Sequence, residues 1–255
     1  MSSTRPVAVI TGGGKGIGRS AVLALAGAGY DVVVNYSRSE GPAKAVAAEA
    51  EQLGAETLLL QADVADEAAV RELARAVEER FGRVDALVNN AGITTDTPPN
   101  DLDGLSMDEW DRIFAVNVRG MFQATRAFVP LLRKAERAAV VNLASVVGLR
   151  PGPQPYPYSA SKAAIISITQ TLAGVLGKEG IRVNAVAPGW MEGEWMEHAL
   201  GDKYEDLMAR RAKRTPLRRC VTPEDVAETI LSLIVSNPFV TGSTVVIDGG
   251  YTATT

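Results

Sequence analysis

Short apolar runs alternate along this chain with longer segments whose apolar positions recur at helical spacing. Val7–Ile10, Asp31–Tyr36, Thr57–Gln61 and Asp85–Asn89 read as strands. Arg19–Ala28, Gly41–Leu53 and Glu67–Phe81 read as the helices between them, with Gly54 and Gly82 ending the second and third. Strand and helix keep alternating with no change in composition, which predicts one α/β domain over residues 1–255, without a linker. Farther on, Met107–Leu132 reads as a long helical stretch. Val140–Ser145, Arg182–Pro188 and Thr244–Ile247 are strands, and Ala163–Leu176 is a helix rich in Ala, Ile and Leu. Thr222 is a good N-cap for a helix opening at Pro223, with Asp225 adding negative charge at its dipole. Ile93–Ser106 is a loop at the expected ligand edge of the sheet. Trp190–Thr215 reads as one or two helices that flank or cover the cleft, a lid around residues 190–215.

The first strand runs into Thr11-Gly12-Gly13-Gly14-Lys15-Gly16-Ile17-Gly18 and then into a helix. Glycines there let backbone come close to a pyrophosphate, and the helix N-terminus offers free N–H groups and a positive dipole. The spacing Gly12, Gly16, Gly18 differs from the commoner G-x-G-x-x-G, and a glycine loop alone is sometimes only a turn. Its place between strand and helix favours phosphate binding. In dinucleotide folds an acid at the end of the second strand bonds the ribose 2′-hydroxyl. Here the strand ends in Asn35-Tyr36-Ser37-Arg38, without a carboxylate. Lys15 and Arg38 are two bases able to meet a 2′-phosphate, which favours NADP(H) over NAD(H).

Tyr158 and Lys162 stand four residues apart after the prolines Pro151, Pro153, Pro155 and Pro157. A helix beginning near Pro157 puts both on one face, one turn apart. A lysine ammonium near a phenol favours the phenolate, so Lys162 is expected to lower the Tyr158 pKa and make it a usable proton donor and acceptor. Most such pairs are ordinary surface neighbours, so the spacing is weak by itself. Ser145 falls at the carboxyl end of the fifth strand, where open α/β sheets bind ligands.

Composition narrows the function further. The 255 residues are 46% hydrophobic and 22% charged, with net charge -4, so no basic footprint for nucleic acid is present. No apolar run reaches the ~18 residues of a membrane span. Met1–Pro6 is too short and polar for a secretory leader, and a lone cysteine, Cys220, fits a reduced, cytoplasmic protein. His198 is the only histidine, which argues against a histidine metal site or a Ser-His-Asp triad; no metal is expected.

Taken in order, these motifs resemble the short-chain dehydrogenase/reductase family over essentially the whole chain. Thr11-Gly12-x3-Gly16-Ile17-Gly18 is similar to its cofactor loop, and Asn89-Asn90-Ala91-Gly92 to its sheet-stabilising turn. Val240-Thr241-Gly242 and Asp248-Gly249-Gly250 fit its C-terminal signature. The resemblance implies a Rossmann-type, doubly wound fold with a seven-stranded parallel sheet. It implies that Asp63, with Val64, serves the adenine side, that Asn90, Ala91 and Gly92 border the cofactor, and that Pro188-Gly189 lies beside the nicotinamide. Asn117, Ser145, Tyr158 and Lys162 fall where the family keeps its catalytic set. In that scheme Ser145 and Tyr158 bind the carbonyl and Tyr158 gives it a proton. Lys162 lowers the tyrosine pKa and bonds the nicotinamide ribose, and Asn117 helps hold a proton-relaying water.

One departure stands out: Trp190-Met191-Glu192-Gly193 lacks the hydroxyl that relatives often carry after the Pro-Gly turn. Thr94 or backbone groups are the candidates to take over its contact with the carboxamide. The family is usually tetrameric or dimeric, and a homotetramer is expected. Within it, the chain is most similar to 3-oxoacyl-acyl-carrier-protein reductases and glucose dehydrogenases. The expected activity is NADPH-dependent reduction of a small-molecule ketone to a secondary alcohol, or the reverse, with 3-oxoacyl-acyl-carrier-protein reductase as the alternative. Trp190 and Trp195 are candidate substrate contacts, though the aromatic and Met residues of the lid serve equally well as its core. The basic cluster Arg210, Arg211, Lys213, Arg214, Arg218 and Arg219 suits a carrier protein, or more simply a solvated or intersubunit helix. Rivals of other classes are a non-catalytic NAD(P)-binding regulator and a sugar-nucleotide epimerase or dehydratase, the latter disfavoured by length.

Overall fold

In a computed structural model of the chain, residues 5–152 and 154–254 are described; residues 1–4, which include most of the stretch judged for a leader, and Pro153 lie outside them. Strands β1 (Val7–Ile10), β2 (Asp31–Tyr36), β3 (Thr57–Gln61), β4 (Ala86–Asn89), β5 (Ala138–Leu143), β6 (Ile181–Pro188) and β7 (Thr244–Ile247) form one sheet in the order β3-β2-β1-β4-β5-β6-β7. Every pairing is parallel, with registers such as Val9 against Val33 and Asn89 against Asn142. The order reverses between β1 and β4, and ligands of such sheets bind outside the carboxyl ends at that point.

Helices cover both faces because successive strand residues point to opposite sides. Ala8, Ile10, Val32, Val34, Val88 and Val141 pack against α1 (Gly16–Gly27), α2 (Glu40–Gln52) and α9 (Pro223–Val235). Val7, Val9, Val33, Leu87, Val140 and Val183 pack against α3 (Glu67–Phe81), α5 (Met121–Leu132) and α6 (Tyr156–Leu176). Each fully buried Val, Leu or Ile contributes roughly 1.5–3 kcal/mol relative to exposure, so the two layers dominate stability. Ends are defined locally. Asp66 accepts from Ala68 and Ala69 at the start of α3, and Gly82 closes it in the left-handed region. Thr222 and Asp225 cap α9 reciprocally.

Most boundaries shift by at most one residue from the sequence reading, and three differ by more. The first helix opens at Gly16, inside the glycine loop, where the positive φ of that residue turns the chain into the helix. The fifth strand is Ala138–Leu143, so Ser145 lies beyond it, in extended conformation, capping a short 3-10 turn at Val146–Gly148. The long stretch before it is α4 (Met107–Phe114), a π-helical turn at Ala115–Gly120, and α5. The lid stretch divides into α7 (Glu194–Leu200) and α8 (Tyr204–Arg214). No helix among the described residues is long and apolar enough to cross a membrane.

Candidate active site

Beyond the carboxyl ends of β1 and β4, two turns are laced together. Asn90 donates from Nδ2 to the carbonyls of Thr11 and Gly12, both at 2.9 Å. The Thr11 hydroxyl accepts from the Asn90 and Ala91 amides at 3.0 and 3.1 Å. Gly12 and Gly16 adopt φ of 64° and 50°, which side chains other than glycine seldom take. A Cβ at Gly18 would sit 2.2 Å from the Gly12 carbonyl oxygen, so α1 enters against the loop only because Gly18 has none. Lys15, at the N-cap, makes no capping bond, and the first amides of α1 keep their donors for an anion. This cradle fits the pyrophosphate of a dinucleotide cofactor. Ile17 packs on the core beneath it.

The strand-end residues divide by depth. Tyr36 is buried in the core, whereas Ser37 and Arg38 are exposed. Asn35 holds the turns together: its Oδ1 accepts from Gly12 N, and its Nδ2 donates to Ala62 O at 3.0 Å. Asp63 accepts from Ala65 N at 3.0 Å and pairs with Arg112 at 2.6 Å. Partial burial works to raise its pKa, but the Ala65 and Arg112 hydrogen bonds and the fields of Arg112 and Arg38 outweigh it and hold the carboxyl below its ordinary value. Val64 is buried, and its carbonyl accepts from Gln123. Lys15 is exposed and pairs with Glu194, the first residue of α7, at 3.1 Å.

At the next strand ends Asn117, Ser145, Tyr158 and Lys162 come together. Lys162 is buried and donates to Leu143 O at 2.7 Å. Its Nζ lies 5.4 Å from the centroid of the Tyr158 ring. A Cβ on Gly92 would lie 3.4 Å from Asn117 Oδ1 and 3.7 Å from Lys162 Nζ, so these groups converge on the turn after β4. Asn117, inside the π-helical turn, accepts from Ile93 N at 2.8 Å and donates to Ile93 O and Ser161 Oγ at 2.9 and 3.0 Å. It thereby clamps that turn to α6 between Tyr158 and Lys162. The Ser145 hydroxyl bonds the Tyr158 phenol and makes a long contact, 3.4 Å, to Pro188 O. Gly148 lies so close to α6 that a Cβ would meet the Lys162 carbonyl carbon at 2.7 Å, which seats the Ser145 turn on α6.

The electrostatics differ from the expectation that Lys162 lowers the tyrosine pKa. Burial of the phenol pushes Tyr158 up to about 12, against the Ser145 hydrogen bond, which lowers it. Burial pushes Lys162 down to about 8. The ammonium points to the Leu143 carbonyl and sits over the ring, and desolvation of both groups decides. Tyr158 as a whole is only half-buried, so its outer side stays open to the cleft.

Trp195 lies beside Tyr158, ring centroids 6.5 Å apart. Trp190 instead has the Arg211 guanidinium over its face at 4.2 Å. Gly189 abuts Asp248 so closely that a Cβ would come within 2.7 Å of Asp248 Cβ. Several contributors were given no role from the sequence: Asn35, Ser161, Arg112, and Asn142 and Thr169, which continue a buried chain from Asn89. Asn89 and Asn142 each interrupt an apolar strand near its end, a signal that was available. Ser161 carries none. No group of three His, Cys, Asp or Glu is suited to a metal among the described residues.

The fold and the cradle define a dinucleotide-binding α/β protein, and comparison with known proteins takes this further. A family model described as enoyl-(acyl carrier protein) reductase matches residues 12–252. The 3-oxoacyl-[acyl-carrier-protein] reductase of Staphylococcus epidermidis is 39% identical over 95% of this chain and 97% of its own. The levodione reductase crystal structure superposes with a TM-score of 0.91 at 31% identity, covering 98% of each chain. A gluconate 5-dehydrogenase from Burkholderia cenocepacia, solved with NADP and tartrate, gives a TM-score of 0.88 at 31% identity over 100% of this chain and 98% of its own. The chain belongs to the short-chain dehydrogenase/reductase family. It is an NAD(P)-dependent oxidoreductase acting on CH–OH and C=O groups.

Proposed function

We propose that the protein reduces a ketone to a secondary alcohol with NADPH, using Ser145, Tyr158, Lys162 and Asn117. The observation that carries this is the Tyr158 phenol, hydrogen-bonded to Ser145, with the Lys162 ammonium over its ring, beside the glycine cradle. A bound nicotinamide supplies the hydride. Ser145 and Tyr158 present two hydroxyl donors to one carbonyl oxygen and stabilise the charge that develops there. With its pKa pushed up, Tyr158 is fully protonated at neutral pH and is a ready donor to the nascent alkoxide. Lys162, still largely charged near pH 7, favours the phenolate left behind. Asn117 holds the loop after β4 and α6 in register for these contacts.

Exposed Lys15 and Arg38, with no carboxylate at the end of β2, support NADPH over NADH. In fluorescence titration NADPH is expected to bind at least about ten-fold more tightly than NADH, as charge-assisted bonds to a phosphate imply. Turnover on a ketone panel completes the test. Equal affinities would remove the NADP preference, and binding without turnover on any carbonyl would remove the enzyme reading.

The acyl-carrier alternative draws on the relatives' activity. Much of the basic cluster is already engaged within the chain: Arg210 pairs with Asp206, and Arg219 with Asp225. The exposed apolar residues Phe122 on α5, Val175 on α6, Phe239 before the edge strand β7 and Val246 within it support a homotetramer. Light scattering after size exclusion at micromolar concentration is expected to give four times the chain mass; a monomer would oppose it.

A further inference from the structure

Helix α8 turns one stripe inward. Tyr204 accepts from the Gly193 amide, Met208 is buried, and Thr215 just beyond the helix is buried as well. Arg211 falls on that stripe, so a guanidinium occupies a position where helical periodicity calls for an apolar side chain. It is half-buried, lies flat on Trp190 at 4.2 Å, and donates from Nη1 to the Tyr251 hydroxyl at 2.7 Å.

Burial without a carboxylate sets it apart from its neighbours, since Lys213, Arg214 and Arg218, also outside any ion pair among the described residues, are exposed. Arg210 is paired with Asp206, Arg219 with Asp225, and Arg218 donates to Lys213 O. Arg211 has no carboxylate partner among the described residues. The carboxylate of Glu192 acts on Arg219 and on Cys220, and Asp248 is held by Gly250 and Thr252. A guanidinium offers five N–H donors, and one contact to a neutral phenol uses a single one. Holding it half out of water is costly unless an anion completes the arrangement.

Its surroundings are tied to the segment that carries Ser145. Trp190 follows the Pro188-Gly189 turn, whose Pro188 carbonyl faces the Ser145 hydroxyl. Tyr251 stands in the C-terminal turn, to which Arg150, from the loop after Ser145, donates through Thr252 O. The stack on Trp190 and the bond to Tyr251 fix the plane of the guanidinium, so its remaining donors form a preorganised fork.

We propose that Arg211 is a specificity-determining residue that binds a carboxylate on the ketone substrate, so that the protein acts on oxo acids in preference to neutral ketones. This rests on the ketone-reductase reading above. A bidentate guanidinium–carboxylate pair matches in geometry and charge.

The test compares acetoacetate with methyl acetoacetate, with NADPH, for the wild-type protein and for Arg211→Met, Arg211→Lys and Tyr251→Phe. The wild type is expected to favour the acid in kcat/KM. The acid-to-ester ratio should fall about 10- to 100-fold in Arg211→Met, the worth of hydrogen bonds to a charged group. Arg211→Lys should retain part of the ratio, keeping charge without the fork. Tyr251→Phe should lower it less than Arg211→Met, since the guanidinium stays on Trp190. A ratio equal in wild type and Arg211→Met, or a wild-type preference for the ester, would overturn the proposal. Tryptophan fluorescence adds a readout independent of turnover. Acetoacetate and not its ester should give a saturable change in the wild type that is absent in Trp190→Phe and in Arg211→Lys greatly weakened. If no ketone turns over, the reductase reading fails; a fluorescence response shared by the ester would then refute the carboxylate site separately.

Discussion

Replacing Tyr158 by phenylalanine is expected to lower kcat for ketone reduction about 10²- to 10⁴-fold, the range for loss of a positioned general acid. The change removes one oxygen. It leaves the ring beside Trp195 and under Lys162, so the aromatic packing survives. Ser145 keeps its contact with Pro188 O but loses its partner at the phenol. The glycine cradle is built by Thr11, Asn35 and Asn90, none of which touches the phenol, so NADPH affinity should change little. Stopped-flow turnover paired with fluorescence titration of NADPH checks both halves. Near-normal turnover would refute the assignment of Tyr158. Unchanged biological activity with cofactor still bound would bring forward the non-catalytic regulator.

The second large effect concerns Lys162. Lys162→Met should lower turnover about 10²- to 10³-fold, as loss of one preorganised charge in a buried site does. The limb of the alcohol-oxidation profile that reports Tyr158 ionisation should move to higher pH, since the phenolate formed in turnover loses the ammonium that lies 5.4 Å from its ring centroid. Stability should respond in the opposite sense. In the fold the ammonium is penalised, its pKa lowered from 10.5 to about 8 by burial. That penalty is fully present below about pH 8 and is relieved as pH rises towards 10.5, because the unfolded chain there holds the proton that the folded one has released. Wild-type unfolding free energy should therefore gain from this group between pH 8 and 10, below the phenol's own titration, by at most about 3 kcal/mol. The methionine variant should lack that gain and be at least as stable as wild type at pH 7, despite losing the bond to Leu143 O. Urea titrations across this pH range read the difference directly. A parallel slope in the two proteins, or an unshifted oxidation profile with normal turnover, would sink the role given to Lys162.

Much of this molecule was legible before any coordinates. Strands made of short Val, Leu and Ile runs, and helices closed by Gly54 and Gly82, follow from periodicity and turn chemistry, which act within a few residues. So did the glycine loop, whose positive φ values and missing Cβ atoms are properties of the residues themselves. The placement of Ser145 at the carboxyl end of a strand, and of Tyr158 and Lys162 one helical turn apart, needed only the rise of a strand and the pitch of a helix, though the strand itself stops two residues earlier.

What tertiary structure alone decided are the contacts between segments distant in sequence. Asn117 looked like a helix-interior residue until the π-helical turn carried its amide to Ile93 and Ser161. Asp63 met Arg112, Lys15 met Glu194, and Arg211 came to rest on Trp190, pairs that no local spacing announces. The charge state of the Tyr158–Lys162 pair was likewise misjudged from spacing. Four residues of separation bring two side chains near each other, but the balance between their attraction and their desolvation depends on how much water the rest of the fold removes, and that is a property of the packed molecule.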